Sequence, residues 1–280
     1  MIRSSEWLHA KALQRSPCTL PAFFMSYFGF HLLFTIPPIV LMIATLPRPL
    51  GGVGGKRGAL AIPLLCLIAF SYTTPWDNYL VAREVWWYGP DRVWATIGYV
   101  PVEEYLFFLL QPILTGLVLY HYLGRVSLAT VSKPATSRAA WGGAAVFGAL
   151  TVIGFFLLTV ESSSGVYMGL IVSWASPILA GMWLYDGILL WRLRKALLFA
   201  VGLPTVYLWI ADAVAIRVGI WTISPTYTFG IAPFGLPVEE ATFFLMTNLL
   251  VVKGILLFLY GDHGTLDTHL PAAESTPASA

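Results

Sequence analysis

Seven apolar stretches fill most of the chain, at about residues 23–46, 59–80, 101–123, 141–160, 165–190, 196–219 and 237–260, each near the roughly 20 residues a helix needs to cross a bilayer core. No other feature constrains the fold as much. Inside hydrocarbon every backbone N–H and C=O must find its partner within its own segment, so stretches of this length are membrane-spanning helices. With 58% hydrophobic and only 11% charged residues among 280, and a mean hydropathy of +0.75, the composition excludes a soluble domain. The expected fold class is an all-α membrane protein with seven transmembrane helices. Residues 1–22 are expected to form an N-terminal tail and 261–280 a flexible C-terminal tail, whose Pro, Ala, Ser and Thr have little to bury.

The few cations fall in short clusters between spans rather than along one face, which excludes nucleic acid as a partner. Arg48, Lys56 and Arg57, then Arg125, Lys133 and Arg138, then Arg192, Arg194 and Lys195 occupy alternate loops; the other loops hold only Arg92 clear of a span edge. An excess of Lys and Arg marks the cytoplasmic side. The chain is therefore expected in the cytoplasmic (cell) membrane with its N-terminus outside and its C-terminus inside, against the pull of Arg3, Lys11 and Arg15. The apolar stretch behind those three residues is long and lacks a small-residue cleavage site, so it reads as an anchor and not a removable signal. Cys18 and Cys66 make no disulfide framework, and no Cys or His spacing suggests a metal.

The chain also repeats itself. TTPWDNYL, with Trp76 and Asp77, answers to VYLWIADAVAI, with Trp209 and Asp212. Asp77 and Asp212 lie 135 positions apart, as do Trp86 and Trp221, and Glu103 and Glu239 lie 136 apart. Three spans are thus duplicated, with one inserted residue in the second copy, and the span at about 141–160 is left as a connector. Because the connector adds one crossing, both triplets enter the membrane from the same side. The expected layout is two parallel three-helix repeats plus a connector helix (3+1+3), divided as 23–123, 124–164 and 165–260.

PVEE opens both the third and the seventh span, as PVEEYLFF from Pro101 to Phe108 and as PVEEATFF from Pro237 to Phe244. One such motif has an ordinary explanation, since proline starts helices and the helix dipole favours acids in the first turn. Two copies, each matched by an aspartate on the preceding span, read as a paired site. Asp212 lies about seven residues before the end of its span, roughly 10 Å below the surface, where a carboxylate needs a partner or a cavity. Crowded acids in a low dielectric are expected to leave a neutral carboxylic acid beside ionised ones, which separates a proton donor from a proton acceptor.

The candidate catalytic residues are Glu103, Glu104, Glu239, Glu240, Asp77 and Asp212. Adjacent helical side chains point about 100° apart, so one glutamate of each pair faces a substrate, and the sequence does not choose which. Helical spacing puts Phe108 and Gln111 on the face of Glu104, and Phe244 and Thr247 on that of Glu240. With Phe107, Phe243, Trp76, Asn78 and Trp209 they make the candidate substrate-binding set, since aromatic faces stabilise a cation, although plain helix packing also accounts for the phenylalanines. Trp86, Trp87, Trp94 and Trp221 read as an interfacial belt. Lys253 reads as a snorkelling residue, His31 and His121 as packed or interfacial, and Gly51 to Gly58 as a flexible turn without the Ser or Thr of a phosphate loop.

With PWDN at Pro75 to Asn78, PVEEYLFFLLQP at Pro101 to Pro112 and PVEEATFF at Pro237 to Phe244, the chain resembles the integral-membrane lycopene cyclases over most of its length. That family occurs as two short subunits, as one fused chain or as the front part of a fungal bifunctional protein, and both halves are present here. The resemblance implies lycopene β-cyclase activity: an isomerase (intramolecular lyase) of carotenoid biosynthesis that closes the linear ends of lycopene to the β-ionone rings of γ- and β-carotene by non-redox acid–base chemistry. It implies lycopene as a hydrophobic polyene partner, membrane lipid around it, and association with other carotenoid enzymes. Unlike the flavin-type cyclases the chain carries no Rossmann fingerprint, so catalysis without a nucleotide cofactor is expected. Asn78 is matched by Ala213 and Pro112 by Asn248, so the halves are expected to differ in role. The competing reading is a proton-coupled small-molecule transporter with the same 3+1+3 layout; acids gathered at one face rather than the midplane speak against it.

Overall fold

The computed structural model describes residues 25–47, 55–126, 137–160 and 162–261. Both expected tails lie outside these residues apart from Gly261, as do Arg3, Lys11, Arg15, Cys18, Arg48 and Lys133. Among the described residues seven helices are long and apolar enough to cross a membrane: α1 Tyr27–Ala44, α2 Gly55–Ala82, α3 Val102–Arg125, α4 Ser137–Thr159, α5 Val166–Arg192, α6 Arg194–Arg217 and α7 Val238–Tyr260. Each matches one of the apolar stretches. One departure is at the head of α2, where Gly55 to Gly58 are already helical instead of continuing the glycine-rich turn.

Prolines shape the spans. In α1 the Ser26 side chain accepts the Gly29 N–H at 3.1 Å to start the helix, and a π turn at His31–Thr35 precedes Pro37 and Pro38. Pro38 supplies no N–H to the carbonyl four residues back, and the Phe34 carbonyl accepts the Tyr207 hydroxyl of α6 at 2.6 Å. In α5 the backbone breaks at Asp186, whose carboxylate accepts the Leu189 N–H at 3.0 Å and caps the last turns.

Helices α3 and α7 run through the middle of the bundle. Helix α3 packs on α1, α2, α6 and α7, and α7 packs also on α2, α5 and α6, burying Leu117, Leu119, Val252, Ile255 and Leu256 among others. One polar knot crosses this core: Asn248 accepts from Gln111 and Thr115, both at 2.6 Å, and donates to Thr205 at 2.9 Å, joining α7 to α3 and α6. Helix α4 packs along α5. A Cβ on Gly154 would come within 2.6 Å of the Ser173 backbone nitrogen, so glycine permits that approach. Lys253 does not snorkel. It is fully buried on α7, its ammonium 4.2 Å from the Phe147 ring centre, 5.2 Å from that of Trp183 and 3.4 Å from the Leu179 carbonyl.

Among the described residues four short strands complete the fold: β1 Trp86–Tyr88, β2 Thr96–Ile97, β3 Val100–Pro101 and β4 Trp221–Ile223. Strands β2 and β3 form a hairpin turning at Gly98, where φ is +67° and an added Cβ would meet the Asn78 side-chain oxygen at 2.5 Å. Strand β1, from the loop after α2, pairs antiparallel with β4, from the loop after α6: Trp86 opposes Ile223, Trp87 opposes Thr222 and Tyr88 opposes Trp221. Both loops, and the heads of α3 and α7 that follow them, therefore lie at one end of the bundle.

Candidate active site

Pro101 and Pro237 are N-caps with extended backbone, so α3 and α7 begin at Val102 and Val238. The glutamates accordingly occupy the second and third helical positions, one earlier than the sequence suggested, where first-turn N–H groups and the positive dipole end face them.

The two members of each pair part company. Glu103 turns back to its preceding loop, where its Oε1 accepts the Trp94 N–H at 2.8 Å, and Glu239 does the same for the Phe229 N–H at 2.7 Å. Glu104 and Glu240 turn instead into one cavity of about 50 Å³, which Asp77 and Asp212 also line. Four of the six acidic candidates are thus brought together, two from each half of the chain, and Glu103 and Glu239 are not among them. Among the described residues no Lys, Arg or His lines that cavity.

Three tyrosines and a tryptophan hold Glu104, Glu240 and Asp212. The hydroxyls of Tyr27 and Tyr88 donate to Glu104 Oε2 at 2.8 and 3.1 Å, that of Tyr167 donates to Glu240 Oε1 at 2.6 Å, and the Trp221 indole donates to Asp212 Oδ1 at 2.9 Å. Asp77 and Asp212 each keep a buried Oδ2 without a hydrogen-bond partner among the described residues. Burial, and then the Glu104 charge, push the Tyr88 phenol well above its ordinary value, so it remains an O–H donor. Trp86, Tyr88, Trp221 and Ile223 of the β1–β4 ribbon line the cavity, so Trp86 and Trp221 are buried at the site and not part of an interfacial belt. Trp87 and Trp94 are exposed.

Sequence reasoning missed Tyr27 and Tyr167. Their signal was present: Tyr27 stands at the start of α1 and Tyr167 at the start of α5, at the same end as the acids.

The aromatic candidates divide between two cavities. Phe244 lines the acidic one. Phe107 and Phe243 line both it and a second, largely apolar cavity of about 160 Å³, whereas Phe108, Gln111 and Thr247 line only the second. The face of Glu104 is therefore shared by Phe107, three residues on, rather than by Phe108 and Gln111 as helical spacing suggested. Gln111 is engaged with Asn248, and the Thr247 hydroxyl bonds the carbonyls of Phe243 and Phe244 on its own helix. Trp76 stacks on Phe243 with ring centres 5.7 Å apart. Asn78 and Trp209 line neither cavity. Asn78 accepts the Tyr99 N–H at 3.0 Å and donates to Tyr105 and to the Thr74 carbonyl, bracing the β2–β3 turn, while the Trp209 indole donates to the Ala241 carbonyl and fastens α6 to α7. His31 is packed, with its ring nitrogens 2.9 Å from the Thr35 hydroxyl and the Glu103 carbonyl.

Comparison with known proteins places this geometry in context. A family model described as lycopene cyclase matches residues 55–123 and 164–259. A lycopene beta-cyclase of Halobacterium salinarum is 38% identical over 240 residues, covering 84% of this chain and 96% of that protein. Bifunctional lycopene cyclase/phytoene synthases of Leptosphaeria maculans and Sporisorium reilianum are 39% and 36% identical over 81% and 85% of this chain, which spans 40% and 35% of their lengths. None of these relatives is named for transport, and the transporter reading finds no support. No solved structure matches the chain.

Proposed function

The chain belongs to the lycopene cyclase family, and from that premise we propose that it is a lycopene β-cyclase, an isomerase closing polyene ends to β-ionone rings by proton chemistry alone. The observation that carries this reading is the shared cavity: Glu104 and Glu240 from two helix heads, Asp77 and Asp212 from the helices before them, no cation lining it among the described residues, and walls of Phe30, Phe107, Phe243, Phe244 and the ribbon tryptophans.

Ring closure on a hydrocarbon without a polar handle needs three steps. A carboxylic acid protonates the terminal double bond, the neighbouring alkene attacks the resulting cation to form the ring bond, and a carboxylate removes a proton from the new ring. No atom is gained or lost overall. Glu240 is the proton donor and Glu104 the acceptor, because Glu104 receives two hydroxyl hydrogen bonds, which suit an ionised group, and Glu240 one. Asp77 and Asp212, lining the same cavity, reset the pair between turnovers by passing the proton on Glu104 to solvent and a solvent proton to Glu240. The aromatic rings offer π faces to the cation and exclude water that would otherwise trap it. Glu103 and Glu239 support the site by fixing the loops that precede it.

A single acidic cavity treats one polyene end at a time. Expression in lycopene-accumulating cells should turn the pigment from red to orange-yellow, and chromatography should show the monocyclic product before the bicyclic one. Unchanged lycopene with protein present in the membrane would overturn the assignment.

The parallel 3+1+3 repeat belongs to the same proposal. The β1–β4 register is unchanged when the two halves are exchanged at the 135-residue offset. Backbone bonds recur in matched pairs: Tyr27 N–H to the Arg92 carbonyl with Tyr167 to Tyr227, Gly89 to Ile220 with Ser224 to Val85, and Val102 to Ala95 with Val238 to Ile231. These matches support an axis through the ribbon, near the membrane normal, that relates the two acidic heads.

A further inference from the structure

The second cavity has no acid to do chemistry and yet touches the one that has. Ala69, Tyr72 and Thr73 of α2, Phe107, Phe108 and Gln111 of α3, Trp174, Ile178 and Met182 of α5 and Phe243 and Thr247 of α7 surround it, with Gln111, Thr73 and Thr247 its few polar lining residues besides the Tyr72 hydroxyl and the Trp174 indole. Two of its lining residues, Ile68 and Tyr72, are also exposed on the outside of the bundle, 50% and 38%. They stand among Leu64, Leu67 and Phe70, the apolar outer face of α2. The cavity therefore reaches the lipid-facing surface at one end and the acidic cavity, across Phe107 and Phe243, at the other.

Tyr72, Trp174 and Phe243 line that route, with Trp76 stacked behind them. Tyr72 stacks on Trp174 at 5.0 Å and 15°, Trp174 on Trp76 at 4.8 Å and 22°, and Trp76 on Phe243 at 5.7 Å and 2°. The Tyr72 hydroxyl donates to the Trp174 carbonyl at 3.0 Å, tying α2 to α5 at the outer end of the stack. The indole N–H of Trp174, on the cavity wall, is buried without an acceptor among the described residues, a state that a π-electron cloud relieves better than a saturated chain does.

We infer that a linear polyene reaches the acids sideways from the bilayer, between α2 and α5, with the segment behind its reacting end lodged in the apolar cavity and Tyr72 and Trp174 as the latch. The inference rests on the cyclase reading for the identity of the polyene. The cavity is far smaller than a long carotenoid, so the remainder of the molecule stays among the acyl chains, where a hydrocarbon loses nothing by remaining. A polar substrate would find few hydrogen-bond partners along these largely apolar walls.

Filling the cavity tests this. Ala69→Trp and Ile178→Trp enter from facing helices, and Leu203→Trp, on the exposed face of α6, is the control. The full-length protein is reconstituted in nanodiscs with lycopene, and retained pigment and kcat/KM are measured. Both fillings should lower each quantity at least tenfold, with the control within twofold of wild type. Tyr72→Phe, which keeps the stack and loses the hydroxyl, should exchange bound lycopene several-fold faster without a change in melting temperature. If the filled variants hold and convert lycopene like wild type, or Tyr72→Phe leaves exchange unchanged, the route is wrong. If wild type retains lycopene without cyclising it and the filled variants release it, the route stands and the cyclase reading fails.

Discussion

Glu103 and Glu104 are neighbours in the chain with opposite surroundings, and so are Glu239 and Glu240. The first of each pair accepts a loop N–H, and the second faces the cavity that holds Asp77 and Asp212. Glu104→Gln and Glu240→Gln should each lower kcat by at least about 100-fold, the range of general acid–base catalysis. Glu103→Gln and Glu239→Gln keep an oxygen to accept the loop N–H and should lose about tenfold or less. Tyr167→Phe removes the one hydroxyl donor to Glu240 and should cost more than Tyr27→Phe, after which Tyr88 still serves Glu104. One series of initial rates on purified variants checks all of these, and equal losses across both glutamate pairs would contradict the division. The sequence showed that only one glutamate per pair could face inward, since the angle between neighbours is a property of any helix. It did not show which, because the rotation of α3 and α7 about their axes is set by packing against four other helices.

At the scale of elements, the spans were legible because the bilayer leaves the backbone few choices, and their ends fell within a few residues of the apolar stretches. The ribbon was not legible. Trp86 and Trp221 look like interfacial anchors in sequence, and only the pairing of β1 with β4, more than a hundred residues apart, turns them into walls of the site. Lys253 failed for a similar reason: snorkelling depends on a free path to the interface, and Phe147 and Trp183 close it. The Asn248 knot was also hidden, as a polar residue in a span announces itself but not its partners. Asn248→Ala would strand Gln111, Thr115 and Thr205 in the core and should destabilise the bundle by about 2–4 kcal/mol. Thermal unfolding in detergent should show the loss, while turnover per folded molecule stays within a few-fold because Asn248 lines neither cavity. An unchanged melting temperature would mean that the knot does not hold α3, α6 and α7 together.

For the whole molecule, the loop charges argue that the acidic end faces outward. Trp94, 85% exposed in the loop between α2 and α3, and Arg138, exposed at the head of α4, lie on opposite sides under this topology. In a background with Cys18 and Cys66 replaced by Ser, a membrane-impermeant maleimide added to intact cells should label Trp94→Cys and not Arg138→Cys; the reverse pattern would invert the topology. The larger claim is that two helix heads close a ring by moving protons. Purified protein freed of nucleotides and supplied with lycopene in D₂O tests it most directly, with the product read by mass spectrometry. One deuterium retained per ring, at full rate and without added flavin or nicotinamide, is the result this account requires. Rings formed without deuterium, or formed only when a reduced nucleotide is present, would contradict it.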